Sequence, residues 1–239
     1  GMASLSAEIP TETGPPSSAG VDWVLVVAVL SCIGVIVRAL FFTPVDAMQG
    51  IAQKIFYIHV PAATVGLYLA CGLVAIASLM YLWIKDPRLD RVAESSAEVA
   101  LVFLSIVLAT GPLWGKPIWG TWWTWDARLT STLFLWFLIL AYLVLRGAID
   151  EAEMRARLSA VMGALAMLLV PFIHLTVYLF RTLHPQPVVL KPSKPDMPGE
   201  MLATFGLSQV AFILLFIALL RLRYRWAALR DYNAALEAA

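Results

Sequence analysis

Five of the nine tryptophans in this 239-residue chain fall between Trp114 and Trp125: Trp114, Trp119, Trp122, Trp123 and Trp125. They sit on a backbone that Pro112, Gly115, Pro117 and Gly120 should keep from running as one clean helix. Indoles at that density build a flat aromatic wall with N–H donors along it. Such a wall suits a large planar ligand, through stacking and apolar burial. Anchoring at a membrane interface accounts for Trp23, Trp83 and Trp226, one per apolar run end, and packing for Trp136. It does not account for five in twelve residues beside Asp126 and Arg128.

The chain has three histidines. His59 precedes Val60-Pro61 and His184 precedes Pro185. Neutral imidazole is an axial ligand for haem iron, and two would fill both axial positions. A zinc site would want a third or fourth donor, which the surrounding segments do not supply. His174 lies ten residues before His184, about 15 Å deeper if the helix is continuous. Its ordinary fate is a hydrogen bond to a neighbouring helix; the functional alternative is a second ligand set inside the bilayer. Asp126 can organise the start of a helix, and Arg128 can pair with it or reach a ligand carboxylate through its guanidinium fork. Lys54, Lys116 and Arg181 are further candidates for ligand carboxylates or for lipid phosphates.

The elements that must position these residues are membrane helices. The chain is 61% hydrophobic and 14% charged, with a mean hydropathy of +0.81, where a soluble domain carries about a quarter charged residues. The formal charge of +1, with dispersed basic residues, gives no footprint for nucleic acid. Cys32 and Cys71 are far apart in apolar runs, as packing residues are. Six runs are long enough to span a bilayer: Trp23–Phe42, Ala62–Ile84, Val92–Pro112, Leu129–Leu145, Leu158–Phe180 and Met201–Leu220. No internal repeat is evident. The expected fold is an all-α integral membrane protein with six transmembrane helices.

Ten basic residues lie in the connections after the second, fourth and sixth runs and seven on the other side, the ten being tight against run ends. By the positive-inside rule both termini are cytoplasmic. The connections after runs one, three and five then share the outer face, bringing His59, the tryptophan segment and His184 together. In the first, Ile51, Ile55 and Ile58 suggest a short amphipathic helix in the headgroup plane, either an interfacial float or a lid over a ligand edge. The third, 181–200, has too many prolines for regular structure and reads as a semi-rigid strap over the outer face. Gly1-Met2 reads as a cloning remnant, and residues 1–20 as a disordered tail with no basic stretch of a cleaved signal. The membrane domain is expected over 21–225, with the tryptophan segment 114–131 in its second periplasmic loop and a cytoplasmic tail over 226–239.

Residues 119–131, Trp-Gly-Thr-Trp-Trp-Thr-Trp-Asp-Ala-Arg-Leu-Thr-Ser, resemble the tryptophan-rich WWD signature of membrane proteins that handle haem in cytochrome c biogenesis. Trp-Asp-Ala-Arg-Leu-Thr is similar to the CcmC branch, where larger relatives carry a Trp-Asp-Pro-like continuation. Tyr57-Ile-His59-Val-Pro61 and Arg181-Thr-Leu-His184 match as well. The resemblance covers about 21–225. It implies a multi-pass protein of the bacterial inner membrane that holds haem b, non-covalently and transiently, at its periplasmic face. It further implies delivery to the haem chaperone CcmE, which captures haem covalently through a histidine, alongside CcmA, CcmB and CcmD. His59 and His184 match the family's axial ligands, and Trp114, Trp119, Trp122, Trp123, Trp125, Asp126 and Arg128 its platform; no family role transfers to His174. On this reading the protein binds and transfers haem and is not an enzyme. The rivals are a permease subunit for haem or a small solute, which would show repeat symmetry and midplane polar groups, and an intramembrane haem electron carrier, which would want histidine pairs within spans.

Overall fold

The computed structural model describes residues 20–187, 192–194 and 196–237. The described residues are helical apart from connections, with no strand and one isolated bridge, Asp46 to Gly50. Six helices are long and apolar enough to cross a membrane: α1 (Trp23–Phe41), α2 (Ile51–Ile84), α3 (Pro87–Trp119), α4 (Ala127–Ala148), α5 (Ala152–Leu179) and α6 (Gly199–Glu237). The expected disordered tail lies outside the described residues, save Gly20.

Local chemistry sets the ends. Asp22, Asp86, Asp126 and Glu151 accept from backbone N–H groups at the starts of α1, α3, α4 and α5, quenching donors a helix cannot satisfy itself. Pro87 opens α3, where its missing N–H costs nothing. Gly120, at φ +75°, closes α3 in the left-handed conformation glycine adopts freely.

Packing places α2 and α3 at the centre, α3 against α4 and α6, and α2 against α5, while α1 rests mainly on α6. Small residues make the close approaches, as between membrane helices generally. Ala70, Cys71, Val74, Ala97 and Ala100 fill the α2–α3 seam, and Ser96 Oγ donates to the Ala70 carbonyl across it. Gly163 is a further case: a Cβ there would meet Ser78 Oγ at 2.2 Å.

Two expectations about the backbone need correction. Pro112 and Pro117 do not break the third run: α3 continues through both to Trp119. Each proline forfeits one carbonyl bond four residues back, and near the end of a helix held by neighbours on several sides that loss is tolerated. Only 120–126 of the tryptophan segment is non-helical. Secondly, 51–58 is not a separate interfacial helix. A 3₁₀ turn, Ile51–Ile55, runs directly into the rest of α2, and its polar residues Gln53 and Lys54 are buried while Ile51 is exposed. The isoleucine spacing misled because Lys54 turns inward: its ammonium donates to the carbonyls of Ala39, Leu40 and Thr43 at 2.6, 3.1 and 2.8 Å, capping the end of α1. α6 carries on past the sixth apolar run to Glu237.

Candidate functional site

The connections after α1, α3 and α5 converge on one cavity of about 590 Å³, within the range of small-molecule sites. Its lining includes His59, His184, Trp114, Trp119, Trp122, Trp123 and Arg128. The proline-rich connection contributes Pro185, Gln186, Pro187, Met197 and Pro198, so it does lie over this end of the bundle. Trp125 and Asp126 are not in the wall. Trp125 is three-quarters exposed and meets Trp123 edge-on, with ring centroids 5.6 Å apart.

Each outer histidine is held by its Nδ1. His59 Nδ1 lies 2.9 Å from Thr110 Oγ1, and that hydroxyl donates its own proton to the Ile106 carbonyl at 2.6 Å. Thr110 therefore accepts from His59, which places the proton on Nδ1 and leaves the Nε2 lone pair free. His184 Nδ1 lies 2.8 Å from the Pro185 carbonyl, which can only accept. The same tautomer follows. Burial and the nearby Arg128 guanidinium lower the His184 pKa to about 4, against the opposing pull of Pro185 and Asp126. His184 is thus neutral at physiological pH. A hydrogen bond to one ring nitrogen is how proteins orient an imidazole whose other nitrogen binds metal.

Asp126 works behind the wall. Its Oδ1 accepts from Leu129 N–H at the start of α4, and its Oδ2 from Thr124 and Thr182 hydroxyls at 3.0 and 2.8 Å. Thr182 in turn accepts from His184 N–H. Burial alone would raise the Asp126 carboxyl, but these bonds, with Leu183 N–H, hold it below its ordinary value. One carboxylate therefore ties the start of α4 to the segment carrying His184.

The tryptophans have separate supports. Trp114 Nε1 donates to Gln49 Oε1 at 3.0 Å and its ring meets His59 edge-on at 5.7 Å. Trp119 lies against Gly115, where a Cβ would approach Trp119 Cε3 to 2.9 Å. Trp122 lies under the Lys116 ammonium, 5.9 Å from ring centroid to Nζ. Trp123 lines the cavity, and its Nε1 is buried with no hydrogen-bond partner among the described residues.

A family model described as "Heme exporter protein C", CcmC, matches residues 8–238 of the chain. Heme exporter protein C of Haemophilus influenzae is 36% identical over 198 residues, covering 82% of this chain and 79% of that protein. Its namesake from Bradyrhizobium diazoefficiens is 36% identical over 191 residues, 80% and 72% of the two chains. That from Rhodobacter capsulatus is 34% identical over 204 residues, 85% and 84%. The chain belongs to the heme exporter protein C family.

As a CcmC protein it is a multi-pass protein of the bacterial inner membrane, from a family that handles haem for cytochrome c maturation. Among the described residues no three His, Cys, Asp or Glu residues are grouped so as to hold a metal ion. Of the additional cations considered as carboxylate partners, Lys54 is engaged in capping α1 and Lys116 donates to the Gly120 carbonyl at 2.9 Å. Arg181 is exposed and outside the cavity wall. Sequence reasoning missed Thr110, Gln49, Thr182 and Tyr68. Nothing about a lone threonine or glutamine in an apolar run announces a partner fifty residues away. The one available signal was the abundance of hydroxyl and amide groups within three outer connections already known to meet.

Proposed function

We propose that this CcmC protein binds haem b non-covalently between His59 and His184 at its periplasmic face, and presents it to a CcmE-type haem chaperone beside CcmA, CcmB and CcmD. The observation that carries the reading is the matched pair of imidazoles, each with Nδ1 engaged as a donor and Nε2 free, His59 on α2 and His184 on the connection after α5, lining one cavity. Haem supplies the iron and the reactive vinyl edge. The protein's residues bind and orient it: neutral imidazoles ligate without a proton to displace, and indoles cover the ring and exclude water. Arg128 in the cavity wall complements the acidic substituents of the macrocycle. No residue here is assigned a bond-making step; orientation of the cargo is the protein's part.

The test is spectroscopic. The full chain, purified in detergent, is expected to show low-spin bis-histidine Soret and α/β bands. Replacing His59 or His184 with alanine should abolish the low-spin form. Retention of those bands in the double variant His59→Ala/His184→Ala would overturn the assignment and move the site toward His174.

A further inference from the structure

Three side chains meet at the inner end of the cavity, away from its mouth. Tyr68 sits on the π-helical stretch Thr64–Ala70 of α2, nine residues and about 13 Å along the helix from His59. Its hydroxyl is 2.7 Å from His174 Nδ1 on α5, and the rings meet edge-on at 5.8 Å. Arg128, at the start of α4, is fixed beside them: Nη1 donates to the Ile173 carbonyl, next to His174, at 2.8 Å. All three line the cavity. The π-helical stretch matters because it shifts the register of α2, and such bulges concentrate at functional sites.

In the contact between the Tyr68 hydroxyl and His174 Nδ1 either group can donate. Arg128 has no acceptor atom, so the cluster presents guanidinium N–H donors and a full positive charge to the cavity. Among the described residues no carboxylate lies within ion-pair distance of Arg128, and neighbouring Asp126 is already engaged by Leu129, Thr124 and Thr182. A cation at a low-dielectric position without a counter-ion is costly, and an incoming anion offsets that cost.

We infer that Arg128, Tyr68 and His174 form a carboxylate-binding floor that receives the propionate edge of the macrocycle, leaving the opposite edge at the mouth of the cavity. The inference rests on the haem-binding reading. It adds what fixes the orientation of the haem about the axis joining the two imidazoles, which axial ligation leaves free.

The experiment compares binding of protohaem IX and of its dimethyl ester, in which both propionates are neutral, to the detergent-purified full chain. With protohaem, Arg128→Gln should weaken binding about ten- to a hundred-fold, the worth of a charge-assisted bond, with smaller losses for Tyr68→Phe and His174→Gln. With the ester, the unmodified protein should already be weakened and the three substitutions should cost little more. Retained ester binding also shows that each variant is folded. Equal losses with acid and ester, or equal affinity of the unmodified protein for both, overturns the floor while leaving haem binding intact. Failure of the unmodified chain to bind either ligand sinks the haem reading, and the floor with it.

Discussion

At the scale of single residues, the site depends on which nitrogen of each imidazole carries a proton, and Thr110 decides this for His59. Its hydroxyl is committed to the Ile106 carbonyl and can only accept from Nδ1. Thr110→Val removes that acceptor while keeping the shape, so His59 loses its preferred tautomer and orientation. We expect haem affinity to fall about ten- to a hundred-fold, the usual cost of losing such a partner, with rescue by Thr110→Ser; a titration followed at the Soret band decides it. His184 gives a pH prediction. Its folded pKa of about 4 lies below the ordinary value of 6.5. The stability gained by keeping it neutral is complete above 6.5 and is lost as pH falls through about 4. The folded protein keeps His184 neutral until pH approaches about 4, so haem retention should stay level from neutral pH to about 5 and fall as pH passes through about 4. A midpoint at or above 6.5 would show that His184 titrates as an exposed imidazole. His59, His184 and the tryptophans were legible in the sequence because their types are rare and their chemistry narrow. Thr110, Gln49 and Thr182 were not, because their role exists only once distant helices meet.

At the scale of elements, the last turns of α3 act as a mounting for the aromatic wall. Gly115 provides the flat place on which Trp119 lies, and Gly120 the left-handed turn from which Trp122 and Trp123 depart. Gly115→Ala would push its Cβ to 2.9 Å from the Trp119 ring, so the indole must move. The expected signs are shifted tryptophan fluorescence and weakened haem binding, at an overpacking cost of about 1–3 kcal/mol. Gly72→Ala is the control, since its Cβ would meet nothing within 4 Å and the residue lies outside the cavity wall. Equal effects from the two substitutions would contradict this account. Here the sequence was read correctly in part. Prolines and glycines did mark the wall, yet their helix-breaking tendency was overruled by packing around α3. Likewise the isoleucine period of 51–58 suggested a surface helix, and was overruled by the demand of the α1 carbonyls for the Lys54 ammonium. Local preference loses wherever a terminus leaves unsatisfied groups nearby.

At the scale of the whole molecule, the cavity is built from the outer ends of helices whose other ends are fastened by charge. Arg146 of α4, with a side chain only 4% exposed, binds Asp90 of α3 at 2.6 and 2.9 Å and Glu94 at 3.1 Å. Glu94 in turn accepts from Arg230 of α6 at 2.6 and 2.9 Å, and Arg223 pairs with Glu98. Several of the basic residues that argue for a cytoplasmic location are therefore also ties between α3, α4 and α6. Removing one partner of such a buried pair strands the other, at about 3–5 kcal/mol, whereas removing all partners together can be nearly neutral. Arg146→Met alone should lower the midpoint of unfolding in mixed detergent–SDS micelles by an amount of that order. Adding Asp90→Asn, which discharges the carboxylate left stranded, should recover part of the loss, while Glu94 keeps its pair with Arg230. The network lies at the opposite end of the helices from His59 and His184, so any haem loss in Arg146→Met should follow the unfolding curve rather than precede it. Low-spin bands that vanish from a still-folded Arg146→Met protein would mean that the two ends of the bundle are coupled, and that the cavity is not a rigid mounting.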